Sequence, residues 1–243
     1  MVWDAGYQLR TIPNGIGSLV GTGAHKTAEA AIASVTSCRA VNRSAAVEAG
    51  IAEMRIEASK SDGIVFDATT DSINTGEKQI QILGNAFCSF AEAPGSVVKK
   101  IARCETTRTA EVFPGMRLSG RVDCETVDDN GIDWKFGIDR QHFGQVGGYS
   151  LLRKAYQLPT GYWQVVSFPR PKIGKPFAGH HTTTYDIETA ETVAYSILQR
   201  VYETVKKFRE SGDCWDVAAN PSSTLCGEKY CPAWGTNFCC LGR

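Results

Sequence analysis

Apolar positions in this chain keep a mostly helical period in the first part and change it near the middle. From Ala30 to Val35, and again from about Ala40 to Ser59, they recur at helical spacing, with Val47, Ile51, Met54 and Ile56 on the second segment. Asn74 to Glu92 continues the helical pattern, weakened at Gly84. Between these segments Ile64 to Ala68 reads as a short strand, and the lead-in over residues 1 to 20 carries a Pro13-Asn14-Gly15 turn. From Val97 the period shortens. Val97 to Ala102 and Ala110 to Val112 read as strands, followed by a ribbon in which Gly120-Arg121-Val122-Asp123 and Ile132-Asp133-Trp134-Lys135-Phe136-Gly137 flank a turn-rich centre. Arg140 to Tyr156 returns to helical spacing, Tyr162 to Phe168 is a strand closed by Pro169-Arg170-Pro171, and Ile187 to Arg209 is a long amphipathic helix. Its expected buried side carries Val193, Ile197, Val201, Val205 and Phe208. No repeat interrupts the series, and the order predicts an α/β fold with a mixed central sheet flanked by helices.

The ribbon holds the first chemistry. Asp133 and Lys135 share one face of their strand, while Ile132, Trp134 and Phe136 point the other way. Whether Asp123 joins them depends on the connection. A tight turn at Asn130-Gly131 pairs Asp128 with Asp133 and leaves Asp123 opposite Ile138. A wider loop centred near Asp128 brings Asp123 round to Asp133, and this is the expectation adopted. Two carboxylates on rigid strands suit a hard divalent cation, although charged residues alternating with apolar ones also describe any half-solvated strand. Upstream, Thr22 is placed to cap the Ala-rich helix, so that His25 and Glu29 lie one turn apart on a common face. Downstream, Gln141, Gln145, Tyr149 and Arg153 make one polar stripe at four-residue spacing.

Composition changes the picture little. The chain has 243 residues, 42% of them hydrophobic, with 26 basic and 26 acidic side chains, so no global field draws it to a polyanion. Any polyanion needs a local groove, for which Arg140, Arg153, Lys154, Arg170 and Lys172 are the candidates. No apolar run approaches the eighteen or so residues of a membrane span, and the N-terminus lacks the order of a signal peptide, so a cytoplasmic protein is expected. Nine cysteines are an odd number for a disulfide framework. Cys38, Cys88, Cys104 and Cys124 read as small core residues. Cys214, Cys226, Cys231, Cys239 and Cys240 crowd the last thirty residues, which divides the chain into a domain over 1–212 and a cysteine-rich tail over 213–243 packed on it.

In order, the chain carries Gly-Thr-x-x-His-x-x-x-Glu at 21 to 29, an isolated Glu105, Gly-x-x-Asp at 120 to 123, Asp-x-Lys-x-Gly at 133 to 137 and Gln-x-x-x-Tyr at 145 to 149. This ordered set resembles the PD-(D/E)XK nucleases, in particular the RecB-like branch, over about residues 18 to 170 together with the tail. The resemblance implies a restriction-endonuclease-like core and a metal-dependent DNA exonuclease of phage or bacterial recombination, resecting ends for a single-strand annealing protein. It implies that Asp123 and Asp133 ligate Mg²⁺ or Mn²⁺ with the Trp134 carbonyl and the His25 imidazole, and that Lys135 orients or helps deprotonate water. Gln145 and Tyr149 are expected at the scissile phosphate, Arg153 along the DNA strand, and a ring-shaped homo-oligomer has precedent among similar exonucleases. Relatives with three terminal cysteines bind an iron-sulfur cluster. Here the tail leaves open a zinc site of Cys226, Cys231 and Cys239 with Cys240 or Cys214, a cluster that recruits Cys38, or no metal. The rival readings are a non-catalytic DNA-binding or interaction module that keeps the nuclease fold and, on the tail alone, a small zinc-binding structural protein.

Overall fold

The computed structural model describes residues 12–138, 140–213, 216, 231 and 233. In chain order they form Asn14–Gly15 (β1), Ile16–Thr36 (α1), Arg43–Ser59 (α2), Ile64–Val65 (β2) and Ile73–Glu92 (α3). A 3-10 turn at Val97–Lys100 leads into Ile101–Phe113 (β3), Met116–Thr126 (β4), Gly131–Gly137 (β5), Phe143–Ala155 (α4), Trp163–Pro169 (β6), His181–Tyr185 (β7) and Ile187–Ser211 (α5). Asn14–Ala194 is one compact unit; the rest of α5, from Tyr195, belongs to a second. Among the described residues no helix is long and apolar enough to cross a membrane.

The first helix begins earlier than expected. α1 opens after Gly15, so Thr22 lies in its second turn and caps nothing. The reason is packing. A Cβ on Gly23 would stand 2.6 Å from the Gly50 carbonyl oxygen, and one on Gly50 would stand 2.4 Å from the Gly23 oxygen. Gly23 and Gly50 let α1 and α2 touch backbone to backbone. Asn42 and Ser72 do cap their helices, accepting from the backbone N–H groups of Ala45 and Thr75.

β3 and β4 form one long hairpin about Pro114-Gly115, where proline presets the turn and Gly115 takes φ 74°. The segments expected at Val97–Ala102 and Ala110–Val112 are therefore a 3-10 turn and part of one strand. The five-stranded sheet has the order β3-β4-β5-β6-β7, antiparallel throughout except for β5 and β6. That parallel pair is joined by α4, as a crossover requires. The result is an α/β fold with a mixed sheet flanked by helices. On one face Ile132, Trp134, Phe136 and Phe168 pack with Ile16, Val20, Ile80 and Phe87 of α1 and α3. On the other, Val122, Trp163 and Val165 pack with Val146 and Tyr149 of α4 and Ala190 of α5. Farther along α5, Ile197 and Val201 are about half exposed rather than buried as their spacing predicts, while Phe208 is buried.

The contact between α4 and α5 yields a paired test. A Cβ on Gly147 would fall 2.0 Å from the Ala190 carbonyl oxygen, whereas one on Gly148 meets only Leu118 Cδ2 at 3.9 Å. Gly147→Ala is expected to lower stability by about 1–3 kcal/mol through overpacking. Gly148→Ala is expected to raise it by up to about 1 kcal/mol through helix propensity. Denaturant midpoints check both; equal shifts would mean that the two helices part freely here.

Candidate active site

The β4–β5 connection is the wider one. Cys124 pairs with Ile132 and Glu125 with Gly131, a register that extends to place Asp123 opposite Asp133. The loop is closed by Thr126 N–H donating to the Asn130 carbonyl at 2.9 Å, with Asp129 at φ 61°. Asn130-Gly131 therefore ends the loop instead of forming its apex. Beyond Cys124 and Ile132 the ladder stops, and the carboxylate of Asp123 takes over: its Oδ2 accepts the Trp134 backbone N–H at 2.8 Å. Because a strand residue presents N–H and C=O to the same side, the Trp134 carbonyl faces the same opening.

The strand on the far side is distorted to permit this. The β3–β4 pairing skips Glu105 and Asp123, and Glu105 adopts φ 52°, costly for a non-glycine residue. Val122 packs on the α4 face and Cys124 on the α1 face, so the chain turns over at Asp123. Arg121 Nε pairs with Glu105 Oε2 at 2.7 Å, a partner that the sequence reading did not single out.

Asp133 is wholly buried. Its Oδ1 accepts from Gln145 Nε2 at 3.0 Å, and the same amide nitrogen donates to the Tyr149 hydroxyl at 2.7 Å. Lys135 Nζ stands 2.7 Å from Oδ2 but off the axis of a hydrogen bond, which leaves that buried oxygen without an aligned partner. Tyr149 stacks on Trp163 and is held protonated, burial pushing its hydroxyl up to about 12. Burial pushes Asp123 up to about 6. It does the same for Asp133, helped by the neighbouring Asp123 and opposed by Lys135. His25, set edge-on to Phe136 with ring centres 5.0 Å apart, is pushed down to about 4 by burial and so is neutral near pH 7. A cavity of about 380 Å³ adjoins the site, with His25, Glu29, Cys104, Glu105, Asp123 and Trp134 in its wall. Burial also raises the Glu105 carboxyl above its ordinary range, against the pull of Arg121.

Gln145, Tyr149 and Arg153 of the expected polar stripe lie on α4 and face inward, whereas Gln141 precedes the helix and is exposed. Gln145 and Tyr149 reach the site, whereas Arg153 is only 2% exposed. Its guanidinium donates to Glu125 Oε1 at 2.5 Å, Asp129 Oδ1 at 3.0 Å and the Pro159 carbonyl at 2.8 Å. Arg108 holds the other oxygen of Glu125 at 2.8 Å. Arg153 is therefore a structural cation and not a contact for DNA, because an eight-residue step along a helix covering the sheet returns to the sheet. Of the expected basic groove, Arg170 is also held inward, with 9% of its side chain exposed and Asp67 at 2.7 Å, whereas Arg140 and Lys172 are exposed. Lys154 is exposed but paired with Glu191 at 2.5 Å. Of the tail cysteines, Cys231 is partly buried, and Cys214, Cys226, Cys239 and Cys240 lie outside the described residues.

A hard cation fits the donor set. Both carboxyls are held above their usual range by burial, a buried carboxylate oxygen lacks an aligned hydrogen bond, and a main-chain carbonyl faces the same opening. Among the described residues no three His, Cys, Asp or Glu side chains converge as a ready-made ligand group. The fit thus rests on Asp123, Asp133 and the Trp134 carbonyl, with water completing the shell as Mg²⁺ prefers. His25 influences Asp133 through space without joining the two aspartates in such a group. Compared with family models, with curated proteins and with solved structures, the chain matches none.

Proposed function

We propose that this chain is a metal-dependent deoxyribonuclease, acting on DNA ends in recombination or repair through a PD-(D/E)XK, restriction-endonuclease-like core. The observation that carries the reading is the meeting of Asp123 with the strand of Asp133 and Lys135 where the β4–β5 ladder opens, with Gln145 of α4 closing on Asp133. A bound Mg²⁺ or Mn²⁺ supplies positive charge to the phosphodiester and lowers the pKa of water into the neutral range. Asp123, Asp133 and the Trp134 carbonyl are the groups to hold it. Lys135, with 24% of its side chain exposed, is the only one of the acid-lysine pair to reach solvent and is placed to orient the attacking water. Gln145 fixes the Asp133 carboxylate, and Tyr149 fixes Gln145. The partners are DNA and, by the same resemblance, an annealing protein or further copies of the chain.

End-labelled linear DNA, single- and double-stranded, incubated with Mg²⁺ or Mn²⁺ and with chelator, tests this reading. Cation-dependent loss of label is expected. DNA left intact with either cation would overturn it in favour of a non-catalytic module that keeps the fold, a reading that the complete burial of Asp133 against Lys135 favours.

The pH dependence has a definite sign. Two carboxyls raised to about 6 bind protons in the folded chain that the unfolded chain has already released. The share of stability that these two carboxyls give the cation-free protein therefore falls as pH rises from about 4 to about 6 and then levels, offset in part by His25, whose lowered value makes its own share rise over the same range. Cation affinity and hydrolysis run the other way, rising from about pH 5 to about pH 7 as protons cease to compete. His25, neutral above its value of about 4, does not add to this rise. Melting temperatures across pH, with and without Mg²⁺, check the first trend, and rates check the second. A melting temperature that climbs from about pH 4 to about pH 6 without cation would contradict the first, and hydrolysis fastest at about pH 5 the second.

A further inference from the structure

Cys104 and Cys124 are directly opposed in the β3–β4 ladder, and their sulfurs lie 3.2 Å apart. Both are free thiols; Cys104 is exposed and Cys124 is buried. Opposed residues in an antiparallel pair have Cα atoms about 4.5–5.5 Å apart, inside the range that a disulfide spans. Closing to a bond of about 2.05 Å takes a sulfur movement of about 1.2 Å. The position is also consequential. The pair flanks the place where the ladder skips Glu105 and Asp123, Cys104 lies in the cavity wall, and the Trp134 indole N–H donates to Cys124 Sγ at 3.4 Å.

We propose that Cys104 and Cys124 are a dithiol modification site that closes to a reversible cross-strand disulfide beside the candidate active site. A small-molecule disulfide such as oxidised glutathione is the oxidant. The Cys104 sulfur gives up its proton and attacks one glutathione sulfur; the S–S bond breaks and one glutathione leaves as a thiolate that takes up a proton. The Cys124 sulfur, losing its own proton, then attacks the Cys104 sulfur and expels the second glutathione. Two protein thiols have lost two electrons and two protons, and one oxidised glutathione has become two reduced ones. Closure draws β4 toward β3 at Cys124 and takes its sulfur from the Trp134 indole. It thereby moves Asp123, the next residue, off the Trp134 backbone N–H. The bond itself does not depend on the nuclease reading, whereas its effect on hydrolysis rests on that reading.

The full chain is incubated with oxidised glutathione and digested with trypsin without reduction. Cleavage after Arg103, Arg108, Arg121 and Lys135 leaves Cys104 and Cys124 on separate peptides. A linked pair that dithiothreitol separates, and that Cys104→Ser abolishes, is expected. Cys104 carrying glutathione with no link to Cys124 would overturn the proposal. In parallel, oxidation is expected to slow DNA hydrolysis at least about tenfold, reversibly, and to leave Cys104→Ser unaffected. Equal rates for the linked and reduced chain would overturn the control of the site. A reduced chain that hydrolyses no DNA would instead count against the nuclease reading, with the linked peptide still deciding the disulfide.

Discussion

Asp133→Asn is expected to abolish DNA hydrolysis and to leave the chain at least as stable as before. The two effects have one cause. The carboxylate lies wholly inside the protein, and burial together with Asp123 raises it to about 6, so its charge opposes folding at neutral pH. An asparagine keeps an oxygen for Gln145 Nε2 and removes the charge, and Lys135, with 24% of its side chain exposed, can turn its ammonium to solvent. On the proposed reading it also removes a cation ligand, at a cost of several kcal/mol in the transition state, or about a thousandfold in rate. Asp123→Asn is expected to lose a similar factor while still accepting the Trp134 N–H, which keeps the ladder opening in shape. Hydrolysis rates and urea midpoints measured together decide the matter. Loss of activity with a matching loss of stability would make Asp133 a structural residue only.

Arg153→Met should behave in the opposite way. Arg153 and Arg108 share the two oxygens of the buried Glu125, whose carboxyl burial would raise but whose arginine partners hold below the usual range. Removing one partner of such a buried pair costs about 3–5 kcal/mol, because the other is left with uncompensated charge. The variant is expected to unfold at markedly lower denaturant, or to be recovered only in insoluble form. Any variant protein that does fold should bind DNA as the wild type does. Unchanged stability with weaker DNA binding would restore Arg153 to the surface role that its spacing suggested.

These two residues show where a sequence can be read and where it stops. Asp133, Lys135, Gln145 and Tyr149 were legible because strand and helix periods are local: two residues on a strand share a face, and four on a helix share a stripe. Arg153 continued the same stripe, yet which way a stripe faces depends on what packs against it. The α4 stripe lies on the sheet, where Glu125 awaits. The Gly21-Thr22-Gly23 motif was misread for a related reason. Glycine and threonine before an Ala-rich run look like a helix start, but the smallness of Gly23 serves the crossing of α1 and α2, where it meets Gly50. The wider β4–β5 loop was a choice between two registers, decided by a hydrogen bond from Thr126 to Asn130. Pro114-Gly115 did carry a turn signal that would have joined β3 to β4, but the register of that turn puts Cys104 opposite Glu125; the bulge between Glu111 and Phe113, which brings Cys104 opposite Cys124, had no local signal. The positive φ at Glu105 and the turning over of β4 at Asp123 had no local signal. Such distortions arise from the whole sheet. β7, His-Thr-Thr-Thr-Tyr after a proline-rich stretch, lacks the apolar alternation that marks a strand.

At the centre stands one physical claim, that the buried Asp133 and the partly buried Asp123 on neighbouring strands exist to hold a divalent cation. Electron paramagnetic resonance of Mn²⁺ titrated into the full chain at pH 7 addresses it without reference to any substrate. Saturable Mn²⁺ binding by the wild type, lost when Asp123 and Asp133 are both changed to asparagine, is the predicted result. Mn²⁺ bound equally by the double variant, or not at all by the wild type, would contradict it.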